Sequence, residues 1–195
     1  MKRLLFLCLA LATPQIAAAA VPSPANSSVP CLVVCPRGDL PFEVVVRDIA
    51  SVPIAGSLVQ IQLCLGAPTP PIAFCQLSPP CTLSGFTDAT GHVTFIIQAG
   101  GVDPSGTVQI RADGVVLANR VIASPDQNGD LVVNATDVGF GMAAVGTPLA
   151  IMDLDCDGGL VDAADVGVIN NHLGHDCGQT AAPPPSWGRV KILYR

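Results

Sequence analysis

An acidic segment is repeated once near the end of this 195-residue chain. The two copies read SPDQNGDLVVNATDVGFGMAAVG, from Ser124 to Gly146, and MDLDCDGGLVDAADVGVINNHLG, from Met152 to Gly174. Each copy passes from an oxygen-rich loop into a stretch that begins Asp-Val-Gly, has apolar residues at helical spacing and ends in a glycine suited to a helix C-cap. The duplication therefore predicts two loop–helix units of the same kind.

Charge is distributed unevenly along the chain. No Lys or Arg occurs between Val121 and Gly188, whereas nine of the 15 acidic residues lie between Asp126 and Asp176. Acidic side chains at this density either repel one another into disorder or hold a cation. The formal net charge of −6 argues against nucleic acid as a partner.

In both acidic loops, short oxygen-bearing side chains alternate along the chain and a carboxylate follows at the start of the predicted helix. Such a pattern places oxygens on one side of a curled backbone, as a hard cation with six to eight oxygen ligands requires, and calcium fits it. In the first loop Leu131 follows the third ligand where an EF-hand has glycine, so its sharp turn must be made differently. The second loop is one residue longer, and we expect Gly158-Gly159 to absorb the insertion.

A helix-initial Asp after alternating acids or amides, present in two copies 27 residues apart, resembles the type I dockerin module. The resemblance covers Ser124 to Cys177 and implies a small α domain with two bound calcium ions. The main-chain carbonyl ligand of the second loop is either Gly159 or Leu160. The implied ligands are Asp126, Asn128, Asp130, Val132, Asn134 and Asp137 in the first loop, and Asp153, Asp155, Asp157, Leu160, Asp162 and Asp165 in the second.

The resemblance also implies calcium-dependent attachment to a cohesin-like protein. Dockerins contact cohesins through residues just before the closing Asp, often a hydroxyl pair, and through a helix with Lys or Arg. This chain departs from that pattern, because both helices lack basic residues and the corresponding positions are Ala135, Thr136, Ala163 and Ala164. Two alternatives stay open: a calcium-rigidified structural or adhesion protein without a cohesin partner, and an accessory component of cellulosome-like polysaccharide breakdown.

The N-terminus has the form of a signal peptide spanning residues 1–20. A basic Met1-Lys2-Arg3 precedes an apolar run from Leu4 to Ala12, which is too short to span a bilayer, and Ala18-Ala19-Ala20 is a small-residue cleavage site. We therefore expect a secreted or cell-surface protein without a membrane span. Residues 21–30, rich in Pro and Ser, are interpreted as an extended linker.

Residues 31–123 alternate apolar and polar side chains with a period of two, which predicts half-buried strands. Turn signals such as Asp113-Gly114 separate them. The arrangement resembles bacterial immunoglobulin-like and transthyretin-like modules and implies an antiparallel β-sandwich, so the whole chain is expected to be mainly β. No paired carboxylates stand out as catalytic in a domain whose only Glu is Glu43, and no enzyme is predicted. The strands are predicted in PFEVVVRD, SLVQIQLC, HVTFII, TVQIRA and VVLANRVI.

The cysteines agree with export, where thiols pair as disulfides. A local bridge between Cys31 and Cys35 and a bridge between Cys156 and Cys177 are both possible pairings, and one cysteine stays unassigned. Zinc is the rival interpretation, but no His lies at zinc-finger spacing from a cysteine. The seven candidates after cleavage are Cys31, Cys35, Cys64, Cys75, Cys81, Cys156 and Cys177.

Three smaller features remain. His172 and His175 could bind a transition metal with Asp176 and Cys177, but at a frayed helix end we expect solvated side chains. Arg37-Gly38-Asp39 is interpreted as a turn. Residues 178–195 form a Pro-rich spacer followed by a basic and aromatic tail, which is either a last strand, a frayed end or a sorting signal.

Overall fold

The computed structural model describes residues 20–65, 71–76 and 80–178. This part of the chain contains nine strands and two helices, which confirms the predicted mainly-β class. The predicted signal peptide, apart from Ala20, and the C-terminal tail after Gly178 lie outside it. Within these ranges, no helix has the length and apolar character needed to cross a bilayer.

Five strands form the largest sheet, in the order β1-β9-β8-β3-β5. β1 runs parallel to β9, and the other neighbours are antiparallel. Strands β2 and β6, and strands β4 and β7, form two further antiparallel pairs. The bounds are β1 Leu32–Val33, β2 Phe42–Val45, β3 Leu58–Gln62, β4 Ala73–Phe74, β5 Thr82–Phe86, β6 His92–Phe95, β7 Ala99–Gly100, β8 Asp103–Ala112 and β9 Val115–Ala123.

The strands predicted from the period-two pattern are β2, β3, β6, β8 and β9. In β3, Val59 and Ile61 are fully buried and alternate with glutamines that are half-buried. Between β8 and β9 both Asp113 and Gly114 have positive φ, 47° and 82°. This conformation matches the right-handed strand twist in tight hairpins and explains why Asp-Gly was a reliable turn signal.

The large sheet and the β2–β6 pair contribute to one hydrophobic core, called here the β core. Apolar burial of this extent is the main driving force for folding of a β domain. Its 19 buried residues are Leu32, Val34, Phe42, Val44, Val46, Ile54, Val59, Ile61, Leu63, Ile72, Val93, Phe95, Ile97, Ala99, Val108, Ile110, Ala112, Leu117 and Ile122.

Residues 21–30, interpreted from composition as an extended linker, are hydrogen-bonded to the β region. The Ser23 amide donates to the Arg47 carbonyl at 2.8 Å, and Ser28 pairs with Val45 beside β2. The Arg120 guanidinium donates through Nε to the Pro30 carbonyl at 2.8 Å. Within the segment, the Asn26 and Ser27 amides both donate to the Ser23 carbonyl, so it forms a turn that lies beside β2.

The disulfides link regions that the sequence left separate. Cys64 pairs with Cys81, 17 residues later, but Cys31 pairs with Cys156 and Cys75 pairs with Cys177. The predicted Cys31–Cys35 and Cys156–Cys177 pairings are therefore wrong, because the acidic segment folds back against the strands and brings distant cysteines together. Cys35 is buried and is the cysteine without a disulfide among those that the structure describes. Three disulfides are compatible with an extracellular protein.

The acidic segment, residues 124–177, contains helices α1, Ala135–Ala144, and α2, Ala163–Asn171. The helices pack closely, since a methyl group at Gly141 would lie 2.6 Å from Ile169 Cδ1. Partly buried Val33 of β1 packs against the buried cluster of this region. That cluster, called here the α core, is small and includes one residue of β9; its members are Ala123, Val133, Leu154 and Ile169.

Candidate metal-binding loops

The two acidic loops begin with the same backbone conformation. Counting from the first Asp of each copy, the fourth and sixth residues have positive φ: Gly129 (73°) and Leu131 (68°), then Cys156 (66°) and Gly158 (75°). The first loop therefore makes its sharp turn with Leu131 itself in the left-handed region, which is unusual for a branched side chain. Sequence similarity between the copies thus extends to backbone geometry.

The closing Asp of each loop is buried and accepts the same three backbone hydrogen bonds. Asp137 Oδ1 accepts from the amides of Gln127 (2.8 Å) and Asn128 (3.3 Å), and its Oδ2 accepts from Asn134 (2.8 Å). In the second copy, Asp165 Oδ1 accepts from the amides of Leu154 (2.6 Å) and Asp155 (3.2 Å), and its Oδ2 accepts from the amide of Asp162 (2.8 Å). Each closing Asp thus ties the start of its loop to the start of its helix.

Both helices begin with a capping box. The Asn134 and Asp162 side chains accept from the amides two residues later, at 2.8 and 2.6 Å. In turn, the side chains of Asp137 and Asp165, each at the third helical position, accept from the amide of the N-cap residue. A capping box satisfies amides that would otherwise have no partner at a helix start, so these residues have a structural role in addition to any role as ligands.

The first Asp of one loop and the first Asp of the other lie in different environments. Asp126 is fully buried against the β strands: a methyl group at Gly100 of β7 would overlap its carboxylate. The pKa of Asp126 is raised to about 6, chiefly by burial and also by the nearby carboxylates of Asp137 and Asp130, although hydrogen bonds from the Leu131 and Gly129 amides lower it. The equivalent Asp153 is half-buried and accepts from amides of its own loop.

Carboxylates converge only in the second copy, within the part of the chain that the structure describes. Carboxylate oxygens of Asp153, Asp155 and Asp165 lie within 4.8 Å of one another, whereas no group of three acids meets that distance in the first loop. In the first loop the Asn128 amide instead donates to Asp130 Oδ2 at 2.9 Å. The donors of the second loop fit a hard divalent cation such as calcium, which takes oxygen ligands only.

The insertion in the second loop lies where the paired glycines predicted it. Val133 and Val161 are both buried, and each is the residue immediately before a helix N-cap. They therefore occupy equivalent positions. Leu160 then corresponds to Val132, and both are exposed. The extra residue therefore lies between Gly158 and Leu160, which is consistent with Leu160 as the counterpart of the Val132 carbonyl donor. Of the remaining predicted ligands, Asp157 is exposed and accepts from the Gly159 amide at 2.6 Å.

The positions predicted to contact a partner are all exposed: Ala135, Thr136, Ala163 and Ala164. On the same helix as the first pair, Phe140 is 46% exposed and Met142 is 66% exposed. The last turn of neither helix contains a basic residue. The exposed surface of α1 is therefore apolar where dockerins often carry Lys or Arg.

A second group of ligand-type side chains lies away from the loops, and sequence reasoning found only its two histidines and expected them to be solvated. His172 and His175 are not solvated: their side chains are only 13% and 14% exposed, and both face Asp39. Burial raises the pKa of the nearby Cys35 thiol to about 12, and the negative charge of Asp39 contributes to the rise. The His-x-x-His spacing was the signal available, but its partners are over 130 residues away in the sequence.

No protein-family model matches this chain, and a comparison with curated proteins found no match. The dockerin-like and immunoglobulin-like interpretations therefore depend on the chain's own residues. What supports a function is the geometry of the two loops and of the surfaces around them.

Proposed function

We propose that residues 124–177 bind two calcium ions in dockerin-like loops and that this binding stabilises a non-catalytic, exported module. The observation that carries the proposal is the repeated scheme of hydrogen bonds, in which Asp137 and Asp165 each join a loop start to a helix start. A cation offsets the repulsion between carboxylates collected in this way. The ligands are those of the dockerin pattern given above.

The second loop is proposed to be the stronger site. It contains five carboxylates, three of which converge, whereas the first loop contains three, because Asn128 and Asn134 replace two of the acids. Calcium affinity in such loops depends on ligand charge and on site rigidity. We therefore expect two binding steps, with the loop from Asp153 to Asp165 filled first.

We propose that the main role of calcium is structural, within a module whose β region is an immunoglobulin-like sandwich. Two disulfides and a shared cluster of buried residues join the acidic segment to the strands. A segment held in this way is a rigid part of the protein, unlike a domain on a flexible tether. Calcium would then fix the loops on a frame that is already cross-linked.

Calcium-dependent attachment to a protein partner is the second candidate. The exposed Phe140 and Met142 on α1 favour it, because aromatic and Met side chains are enriched in protein interfaces. Binding of a purified cohesin by the calcium-loaded protein, lost on Phe140→Ser together with Met142→Ser, would favour attachment over a purely structural role. Intact calcium binding in that double variant is the necessary control.

Calorimetric calcium titration of the mature, oxidised chain tests the proposal. We expect two sites, with Asp165→Asn removing one and Asp137→Asn removing the other. Glu43→Gln, which changes an exposed acid on β2 of the β region, is the matched control and should leave both sites. Far-ultraviolet circular dichroism should show loss of helix when EDTA is added. Absence of calcium uptake, together with an unchanged spectrum in EDTA, would refute the proposal.

A further inference from the structure

We propose that Cys35, Asp39, His172 and His175 bind one zinc ion at the junction between the β strands and the end of α2. One ligand atom from each of the four side chains lies within 4.8 Å of every other. Thiolate, imidazole and carboxylate are the ligands that zinc takes in four-coordinate sites. This site shares no residue with the acidic loops and does not depend on their binding calcium.

The distances are close to those of a closed site. The Cys35 sulfur lies 3.8 Å from His175 Nδ1, which lies 3.2 Å from Asp39 Oδ2. His172 Nε2 lies 3.9 Å from Asp39 Oδ1. In a tetrahedral zinc site, bond lengths of about 2.0–2.3 Å place ligand atoms about 3.3–3.8 Å apart. These three pairs are therefore near the required spacing, and the remaining pairs lie within 4.8 Å.

The orientation of His172 supports a cation at this position. Its Nδ1 lies 2.7 Å from the Val168 carbonyl oxygen. A carbonyl only accepts hydrogen bonds, so Nδ1 carries a proton and Nε2 is the ring nitrogen that faces Asp39. Metal-binding histidines are typically oriented by such a bond from the other ring nitrogen to a backbone carbonyl. Nε2 and the carboxylate are both groups that zinc binds, so an ion between them would take one ligand from each.

The ligands are held by backbone structure on both sides of the junction. Cys35 forms an isolated parallel β-bridge with Gln98, and the Cys35 carbonyl accepts a hydrogen bond from the Gly38 amide at 2.9 Å. The His175 carbonyl accepts from the Val133 amide at 2.9 Å. Two residues beyond His175, Cys177 is bonded to Cys75. Ligands fixed by independent hydrogen bonds and a disulfide have little conformational freedom to lose on binding.

The Arg37 side chain opposes the site. Its Nη1 lies 3.3 Å from His175 Nε2, so in the metal-free protein that nitrogen accepts a hydrogen bond. Zinc on His175 Nδ1 requires a proton on Nε2, which then faces the guanidinium donor. The Arg37 side chain must turn away on binding, and its positive charge also repels the ion. Replacing Arg37 by Gln should therefore tighten zinc binding.

Metal titration of the mature, oxidised protein tests the proposal. Zinc is added after treatment with chelator and in the presence of excess calcium, which keeps the acidic loops from competing. We expect one zinc per chain, and a cobalt(II) substitute should show the intense visible bands of a four-coordinate site with a thiolate charge-transfer band. Cys35→Ser should abolish that band. His172→Asn should weaken binding by more than the about 10- to 100-fold that loss of an outer hydrogen-bond partner costs.

The matched control is His92→Asn, which removes the third histidine, on β6 beside Glu43 and far from the cluster in sequence. Zinc affinity should be unchanged in this variant and higher in Arg37→Gln. Circular dichroism of each variant without metal separates loss of a ligand from loss of fold. His175→Asn provides a second ligand variant where Cys35→Ser fails to fold. No zinc uptake by the intact protein, or equal uptake by the ligand variants, would overturn the proposal.

Discussion

The β region and the acidic segment are stabilised in different ways. The β core has 19 buried apolar residues, whereas the α core has four, one of which belongs to β9. A hydrophobic cluster of four residues cannot offset the conformational entropy of more than 50 ordered residues. Small units of this kind depend on disulfides or metals, and two of the three disulfides described here join the acidic segment to the strands.

The two loops of the acidic segment also differ in how they are supported. Asp126 of the first loop is buried against Gly100, whereas Asp155 of the second is largely solvated. The pKa of Asp155 is nevertheless raised, first by desolvation and then by the neighbouring Asp165, Asp157 and Asp153. The first loop therefore gains its order from contact with the β region, and the second has more uncompensated charge for a cation. One duplicated sequence thus has two different environments.

The largest expected effect comes from the disulfides. Removing the Cys75–Cys177 bond by a double Ser substitution opens a link across 102 residues, whereas the Cys64–Cys81 bond spans 17. The chain-entropy relation gives losses of about 4.7 and about 3 kcal/mol for loops near these lengths. Calorimetry in saturating calcium, without transition metals, should show the acidic segment melting before the strands only in the first variant. Equal losses and a single transition in both would mean that the long link adds no constraint.

The contact between Asp126 and β7 should give the next largest effect. Gly100→Ala places a methyl group on a carboxylate that two amides hold in place, so we expect a loss near the upper end of the about 1–3 kcal/mol typical of overpacking. Gly139→Ala is the control, because no atom lies within 4 Å of the added methyl on α1. The Gly139→Ala substitution should increase the free energy of unfolding by about 0.5–1 kcal/mol, because Ala is favoured over Gly within a helix. Urea unfolding measures both, and similar values for the two variants would contradict the packing argument.

A smaller effect separates the hydrogen bonds of the two regions. In the β region, Thr87 Oγ1 is buried, donates to the Ile54 carbonyl at 2.6 Å and accepts from the Ser57 amide at 2.9 Å. Thr87→Val leaves both groups without that partner and should cost about 1–2 kcal/mol.

The corresponding change in the acidic segment is Thr147→Val. Thr147 Oγ1 donates to the Ala144 carbonyl, but that carbonyl also accepts from the Thr147 amide at 2.9 Å. The substitution should therefore cost no more than about 0.5–1 kcal/mol. Thermal unfolding compares the two variants, and a larger loss for Thr147→Val would show that the polar contacts of the acidic segment are the more costly to remove.

Much of the local structure could be predicted from the sequence. Strict alternation predicted β3, in which buried Val59 and Ile61 face the β core, and Asp113-Gly114 predicted the β8–β9 turn. The duplicated Asp-Val-Gly predicted both helices, although each helix begins two residues before that Asp. The strands β1, β4 and β7 have two residues each, which is too few for a period to be detectable. Strand β5 was missed because Gly85 interrupts its pattern, although a methyl there would approach Val93 at 2.9 Å.

By itself, the sequence determined the mainly-β class and the duplicated loop–helix units, because these follow from spacing and backbone preference over a few positions. Only the tertiary structure decided which cysteines pair and which side chains surround Cys35. Seven cysteines allow many pairings, and the folding of the acidic segment against the strands selects among them. The same contact brings His172 and His175 to Asp39, since distances between residues far apart in the chain depend on packing that no local pattern encodes.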